Sequence, residues 1–373
     1  MTAPPLILLL AGPFALRGTS AYTLRLAENL PQHGFRVKII TPNAQRLVAK
    51  RRAELPIAEY PRLVTPFIGR VVRHWMLQDL LKDPPALVHI QSRRMLPLGT
   101  WLARRLGCSF ILTVHDFLPQ RERLPFAETW GRHVIAVSEP VQEDLLKRSR
   151  LSPKRMSVIH SGVDSDSAAT SPVLEPHRRP VIGTTGPLEA SKGLPYFLGA
   201  AQRILAEGVD AEFLVAGSGP EEANLRRLAR ELGIAEHVTF VPNILDLNTS
   251  LTAIDIFCLP SLRQGLGTIM LEAMALGRPV IASGIDAVDL IIKDNETGLI
   301  VPPSQSEPLA QRMLELLRDP LRARRIGEAA KQMVLRDFNV EVMIQKTTNV
   351  YRDILTTDQV LTPHSDTTRH HAR

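Results

Sequence analysis

Cysteine is almost absent. Cys108 and Cys258 are the only two in 373 residues, and each lies in an apolar run that reads as a core strand. A disulfide framework is therefore not the organising device, and a reducing, cytoplasmic compartment is expected. Aromatic residues make up only 5%, and neither an RNA-binding aromatic pattern nor a helix-turn-helix signal is present, so no nucleic-acid partner is expected. Long hydrophobic runs are missing too. The longest apolar start, Leu6 to Ala11, has no basic residue before it and is far short of the ~20 residues of a membrane span. It reads as a buried strand.

What is present describes a folded α/β chain. The composition is 44% hydrophobic and 22% charged, outside the range of a disordered polymer, and the length suits two domains rather than one core. Net charge is +7, unevenly spread: residues 1–175 carry 24 Lys+Arg against 14 Asp+Glu, residues 176–373 carry 21 against 24. The basic amino-terminal half points to an anionic surface or acceptor.

Short apolar runs alternate with helix-period segments, the pattern of a parallel α/β architecture. Leu6–Ala11, Val37–Ile40 and Ser109–Val114 read as strands of a first series. His115-Asp116 follows the last of these, at the carboxyl end where open α/β sheets bind ligands. A polar Ser/Asp/Pro-rich stretch ends near Pro180 and reads as a linker over 166–180. A second series then runs through strands at Val181–Thr185, Phe213–Ala216, Asp255–Leu259 and Pro279–Ala282. The expected layout is a first domain at 1–165, a second at 181–342, an amphipathic helix at 343–357 and a disordered tail at 358–373. The His370-His371 pair in that tail is too short to argue for a metal.

Three loops rich in small residues precede helices and could expose backbone amides to phosphate: Gly18-Thr19-Ser20, Gly217-Ser218-Gly219 and Gln264-Gly265-Leu266-Gly267. None completes a Walker or a dinucleotide-binding pattern, and each is equally compatible with close helix–strand packing. Glu272 would lie about one and a half turns inside an apolar helix. A carboxylate there must be paired or hydrogen-bonded, either to a ligand or to a buried arginine. Phe67, Ile68, Val71, Val72, Trp75 and Met76 have helical spacing with Arg70, Arg73 and His74 interleaved. They form either a membrane-facing amphipathic helix or a core-facing stripe with a solvated basic back.

The order of several motifs makes the chain resemble the family 4 retaining glycosyltransferases of the GT-B fold. They are Phe213-Leu-Val-Ala-Gly-Ser-Gly-Pro, Ile256-Phe-Cys-Leu-Pro-Ser, Gln264-Gly-Leu-Gly, Leu271-Glu-Ala-Met-Ala-Leu-Gly-Arg-Pro-Val and Gly298-Leu-Ile-Val-Pro. Gly18, His115-Asp116, Ser161-Gly-Val-Asp164 and Lys192-Gly193 precede them in the family's order. The resemblance implies two Rossmann-like domains facing each other across a cleft, with a carboxyl-terminal helix crossing back to the first domain. It implies transfer of a sugar from a nucleotide diphosphate sugar to an acceptor hydroxyl, with no metal or other cofactor. The acceptor would be a saccharide or lipid-linked molecule of the cell envelope, with the protein peripheral on an anionic inner membrane face. By resemblance, Lys192 binds phosphate, Glu272 the nucleotide ribose, and His115 and Gln264 the donor sugar, making His115, Lys192 and Gln264 the catalytic set. Gly18, Thr19, Gly217, Gly265, Leu266, Gly267 and Thr268 complete the donor site. Asp164-Ser165-Asp166 imitates a metal-binding D-x-D but falls in the linker, so no metal site is expected there.

Two departures stand out. Gln264 replaces the usual glutamate, keeping reach but losing charge, and Pro187 stands where the family carries an arginine before its phosphate lysine. They leave open a relative that binds nucleotide sugars without catalysis, or another chemistry of this fold such as sugar-nucleotide epimerisation.

Overall fold

The computed structural model describes residues 3–14, 18–45, 47, 49–119, 121–126, 129–164, 172–242 and 247–361. The apolar runs form two parallel sheets. The first holds β1 (Leu6–Leu10), β2 (Arg36–Thr41), β3 (Ile57–Glu59), β4 (Leu87–Ile90), β5 (Ser109–Val114), β6 (Gly131–Ala136) and β7 (Met156–Val158), in the order β3-β2-β1-β4-β5-β6-β7. The second holds β8 (Val181–Thr185), β9 (Glu212–Ala216), β10 (Val238–Val241), β11 (Ile256–Leu259), β12 (Val280–Ser283) and β13 (Leu299–Val301), in the order β10-β9-β8-β11-β12-β13. Both orders reverse beside the first strand of their domain, and each reversal opens a crevice at the carboxyl ends of the strands. All five residues of β1 are buried. That is what a strand covered by helices on both faces requires, and it explains an unbroken apolar run in place of an alternating one.

Each domain has apolar clusters on both faces of its sheet. In the first, Leu8, Leu10 and Val88 pack on one side and Ile7, Leu9 and Ile111 on the other. That second cluster is completed from the far end of the chain: Met343, Ile344, Tyr351 and Ile354 of the last helix, Val340–Leu361, dock there. The chain thus crosses between domains twice. The crossings are tied together, Val163 N–H donating to Phe338 O at 2.8 Å and Val340 N–H to Val163 O at 3.1 Å.

The last helix is longer than its apolar pattern suggested, beginning three residues earlier and running four residues into the segment expected as tail. Residues 362–373, with the histidine pair, lie outside the described residues, as do residues 166–171 of the linker. Cys258 is buried in β11, as expected, whereas Cys108 is half-buried just before β5. Burial pushes the Cys108 thiol up to about 12 and the Cys258 thiol up as well, so both are protonated, unreactive groups.

The segment around Trp75 departs from the core-facing alternative. In the helix Ile68–Lys82 the residues turned inward are Gly69, Met76, Leu77 and Leu80, and Val72 is half-buried. Phe67 is 82% exposed, Trp75 63%, and Ile68 and Val71 about half, so four of the six apolar positions face outward. No helix among the described residues is long and apolar enough to cross a membrane.

Candidate active site

The carboxyl edges of the two sheets face each other across a cavity of about 870 Å³. The first domain contributes Gly12, Thr19, Gln91, Arg94, Thr113, His115 and Phe117 to its wall. The second contributes Thr185, Pro187, Lys192, Arg263, Gln264, Leu266, Gly267, Thr268 and Glu272. His115, Lys192, Gln264 and Glu272, far apart in sequence, therefore line one space.

Lys192 ends a short 3₁₀ turn held by Gly193, whose φ is +62° and whose added Cβ would meet Pro260 O at 2.0 Å. Only glycine fits, because both the left-handed backbone and the close approach forbid a side chain. The turn is tied to the segment that carries Gln264 by Leu262 N–H donating to Ser191 O at 2.8 Å. Lys192 Nζ then donates to Gln264 Oε1 at 2.8 Å, and Ser261 Oγ donates to the same oxygen at 3.2 Å. Gln264 is fixed in turn, its backbone N–H donating to Asp286 Oδ2 at 2.9 Å. A neutral amide in this place steers the ammonium without itself adding a negative charge.

Gly267 takes φ +77° and caps the helix Thr268–Ala275, whose first turn lies on the cavity wall. A helix amino terminus carries a partial positive charge and unfilled N–H groups, the usual receptor for phosphate. Glu272, one turn further in, is 9% exposed. Burial raises its pKa by more than the facing guanidinium lowers it. That guanidinium is Arg25, itself 7% exposed, which donates to Glu272 Oε1 at 3.2 Å and to Asp164 Oδ2 at 3.1 Å. The buried-arginine alternative for Glu272 is therefore realised, on a residue that also lines the cavity.

His115 follows β5 and its ring meets the Tyr22 ring edge-on, centroids 5.0 Å apart at 81°. Burial pulls its pKa down to about 4, which keeps the imidazole neutral near pH 7. Its Nε2 has no partner among the described residues. Beneath it, the Nδ1 and Nε2 of His89 meet the Tyr351 hydroxyl at 2.5 Å and Thr113 Oγ1 at 2.7 Å, joining the last helix to the strand that carries His115.

Gly217 and Gly265, two expected donor residues, adjoin the wall residues Ala216, Gln264 and Leu266 without being wall residues themselves. The N–H of Gly217 is spent on Val241 O at 2.9 Å, and an added Cβ would stand 1.9 Å from Gly186 O, so this glycine serves close packing of two loops. Gly265 is a domain contact: its carbonyl accepts from Ser138 Oγ at 3.1 Å, and a Cβ there would meet His115 O at 2.8 Å. Gly18 opens the helix Gly18–Asn29, of which Thr19 and Ser20 reach the wall. Asp164 is occupied by Arg25, and Ser165 and Asp166 are outside the described residues. No cluster of three or more potential metal ligands occurs among the described residues.

Arg25, Gln91, Tyr22 and Asp286 escaped sequence reasoning. The residues that meet Arg25, Tyr22 and Asp286 are distant in the chain, Gln91 is marked only by its burial, and only Glu272's need for a buried cation hinted at one of the four. Arg263 lies in the same cavity as Pro187, its guanidinium 4.4 Å from the Phe117 ring centroid across the domain boundary.

Two family models together cover most of the chain: "Glycosyltransferase Family 4" over residues 16–167 and "Glycosyl transferases group 1" over residues 168–333. A phosphatidyl-myo-inositol mannosyltransferase of Mycobacterium leprae (strain TN) is 26% identical over 362 residues, 91% of this chain and 94% of its own. An alpha-D-kanosaminyltransferase of Streptomyces kanamyceticus is 26% identical over 286 residues, 68% and 72% of the two chains. Among solved structures, Anabaena Alr3699/HepE in complex with UDP and glucose superposes with a TM-score of 0.79 at 17% identity, over 94% of this chain and 100% of the other. Two Rossmann-like domains closing on one cavity, together with these matches along the chain, place this protein in the family 4 glycosyltransferases of the GT-B fold.

Proposed function

We propose that this protein transfers a sugar from a nucleotide diphosphate sugar to an acceptor hydroxyl, with retention of configuration at the anomeric carbon. The observation that carries the reading is the Lys192–Gln264 pair beside the Thr268–Ala275 amino terminus, facing neutral His115 across one cavity. In this reading the diphosphate rests on Lys192 and the helix amino terminus. Its growing charge as the bond to the sugar breaks is met by these groups rather than by a metal. Glu272 receives the ribose hydroxyls through its carboxylate, which Arg25 holds in place. Gln264 and His115 address the sugar, and a neutral imidazole can exchange hydrogen bonds with hydroxyls without adding charge beside an electron-poor anomeric centre. Arg263 supplies the cation that Pro187 cannot.

Thermal stabilisation by UDP, GDP and ADP, then by the matching nucleotide sugars, tests the donor class. Ligand at a hundred times its dissociation constant adds about 2.7 kcal/mol. Absence of any shift with all three nucleotides rejects the reading. A shift without turnover, in a variant carrying Gln264→Glu and Pro187→Arg as well as in the parent, would support the silent-binder alternative.

The outward apolar face around Trp75 supports an acceptor held at an anionic lipid surface, with the enzyme peripheral on the inner face of a membrane. Phe67, Ile68, Val71 and Trp75 are exposed together with Arg62, Arg70 and His74. A large apolar patch among basic residues suits a headgroup boundary. The chain leaves β3 at the carboxyl edge of the sheet, so this face begins on the side of the domain that bears the cavity. The phosphatidylinositol acceptors named for the mannosyltransferase relatives are molecules of that kind.

A further inference from the structure

We propose that Gln91 is a recognition residue for a pair of neighbouring hydroxyls on the sugar or cyclitol ring held at the reacting end of the cavity. Gln91 directly follows β4, and its backbone N–H donates to Leu10 O at 2.9 Å, so its position is set by the sheet. Its side chain is fully buried, 0% exposed, yet neither Oε1 nor Nε2 meets a partner among the described residues. A carboxamide has two donors and two acceptor lone pairs. Burying all of them unmet costs stability, which makes such a group rare in a settled core. Gln91 lines the cavity shared with His115 and Thr185, whose Nε2 and Oγ1 are likewise buried without partners. Two orphans come from the edge of the first sheet and one from the edge of the second, and all three residues line the same space.

The chemistry of the orphans narrows the ligand. A phosphate needs donors and positive charge, such as Lys192 and the Thr268 helix terminus offer on the same wall, whereas none of the three orphans carries a charge. A carboxamide presents one acceptor and one donor side by side. That matches two adjacent hydroxyls, each able to give and take a hydrogen bond, as on a pyranose or an inositol. The ring belongs either to the donor sugar or to the acceptor, and the inference rests on the nucleotide-sugar reading above.

Gln91→Met keeps the length of the side chain and removes both polar ends. The unliganded full-length variant should melt no lower than the parent, since an unmet amide has been replaced by an apolar group; a lower melting temperature would mark Gln91 as structural and overturn the proposal. Affinities for bare UDP and GDP should stay within about twofold of the parent, because loss of nucleotide affinity would mean a general disturbance and also overturn it. The gain of UDP-glucose over UDP, or of GDP-mannose over GDP, should fall about tenfold if the ring is the donor's. If that gain is kept, the binding of glucose, mannose or myo-inositol to the nucleotide-loaded protein should fall about tenfold, and the ring is the acceptor's. Retention of both rejects the role of Gln91. A parent that binds none of the nucleotides rejects the donor reading itself, and is recognised before the variant is made.

Discussion

Replacing Arg25 by methionine should loosen the domain closure in a way that protonation repairs. Arg25 is the cation between two carboxylates, Glu272 in the second domain and Asp164 where the chain leaves the first. Without it, Glu272 faces burial and a second negative charge together, both of which already raise its pKa. Breaking a buried pair by removing one partner costs about 3–5 kcal/mol, and the low end applies here because Glu272 lines an open cavity and Asp164 is largely exposed. In a Glu272→Gln background the same substitution should cost only about 1 kcal/mol, leaving a coupling of about 2 kcal/mol.

The pH dependence has a defined sign. A carboxyl group whose native pKa lies above its unfolded 4.5 binds more protons when folded, so its contribution is present below that value and lost as pH rises. Arg25→Met raises the native value further. The variant should therefore regain stability as pH falls from 7 to 4.5, and the double variant should not. Denaturant midpoints for the four proteins at both values of pH decide the matter. Additive losses within about 0.5 kcal/mol, with no recovery on acidification, would refute the pairing.

Lys192→Ala should lower turnover by about 10²–10³, as loss of a charge-stabilising donor does, while leaving the melting temperature unchanged; unaltered turnover would remove Lys192 from the site. His89, pulled down from 6.5 to about 3 by burial, binds fewer protons folded than unfolded, so stability should fall as pH drops from 6.5 toward 3, by an amount on the order of 4 kcal/mol. His89→Gln should flatten that slope in denaturant titrations, and an unchanged slope would assign it to other groups. Phe67→Ser with Trp75→Ser should weaken pelleting with phosphatidylglycerol vesicles by at least about tenfold, given about 1.5–3 kcal/mol for each buried large apolar side chain; equal pelleting would discard this face as the membrane contact. Gly193→Ala, strained at φ +62° and blocked by Pro260 O, should lose nucleotide affinity through displacement of Lys192, which calorimetry would detect.

Much of the scaffold was readable because its signals are local. The buried runs Leu6–Leu10 and Ser109–Val114 carry their own strand signature, and Gly267, the apolar helix after it and Glu272 lie within a few residues of one another. The site was readable only where single residues follow such landmarks, as His115 follows β5 and Lys192 precedes Gly193. What stayed hidden depends on distance. Arg25 and Glu272 are 247 residues apart, and nothing near Arg25 in the sequence marks it as buried. At Gly265 and Gly217 the close packing stayed hidden because it uses the same residue type as amide exposure. The apolar spacing around Trp75 shows a face but not which way it turns, since the core of that helix is completed by Gly69, Leu77 and Leu80.

The last helix sets an order on biosynthesis. A ribosome emits the seven strands of the first sheet, then about 180 residues of second domain, before Tyr351 can cover His89 and Met343, Ile344 and Ile354 can cover Ile7 and Leu9. At about 5–20 residues per second that interval lasts roughly 10–40 s. Throughout it one apolar flank of the first domain stays open to chaperones and to other nascent chains, while the second domain is free to finish folding alone. The protein's first domain is thus the first begun and the last completed.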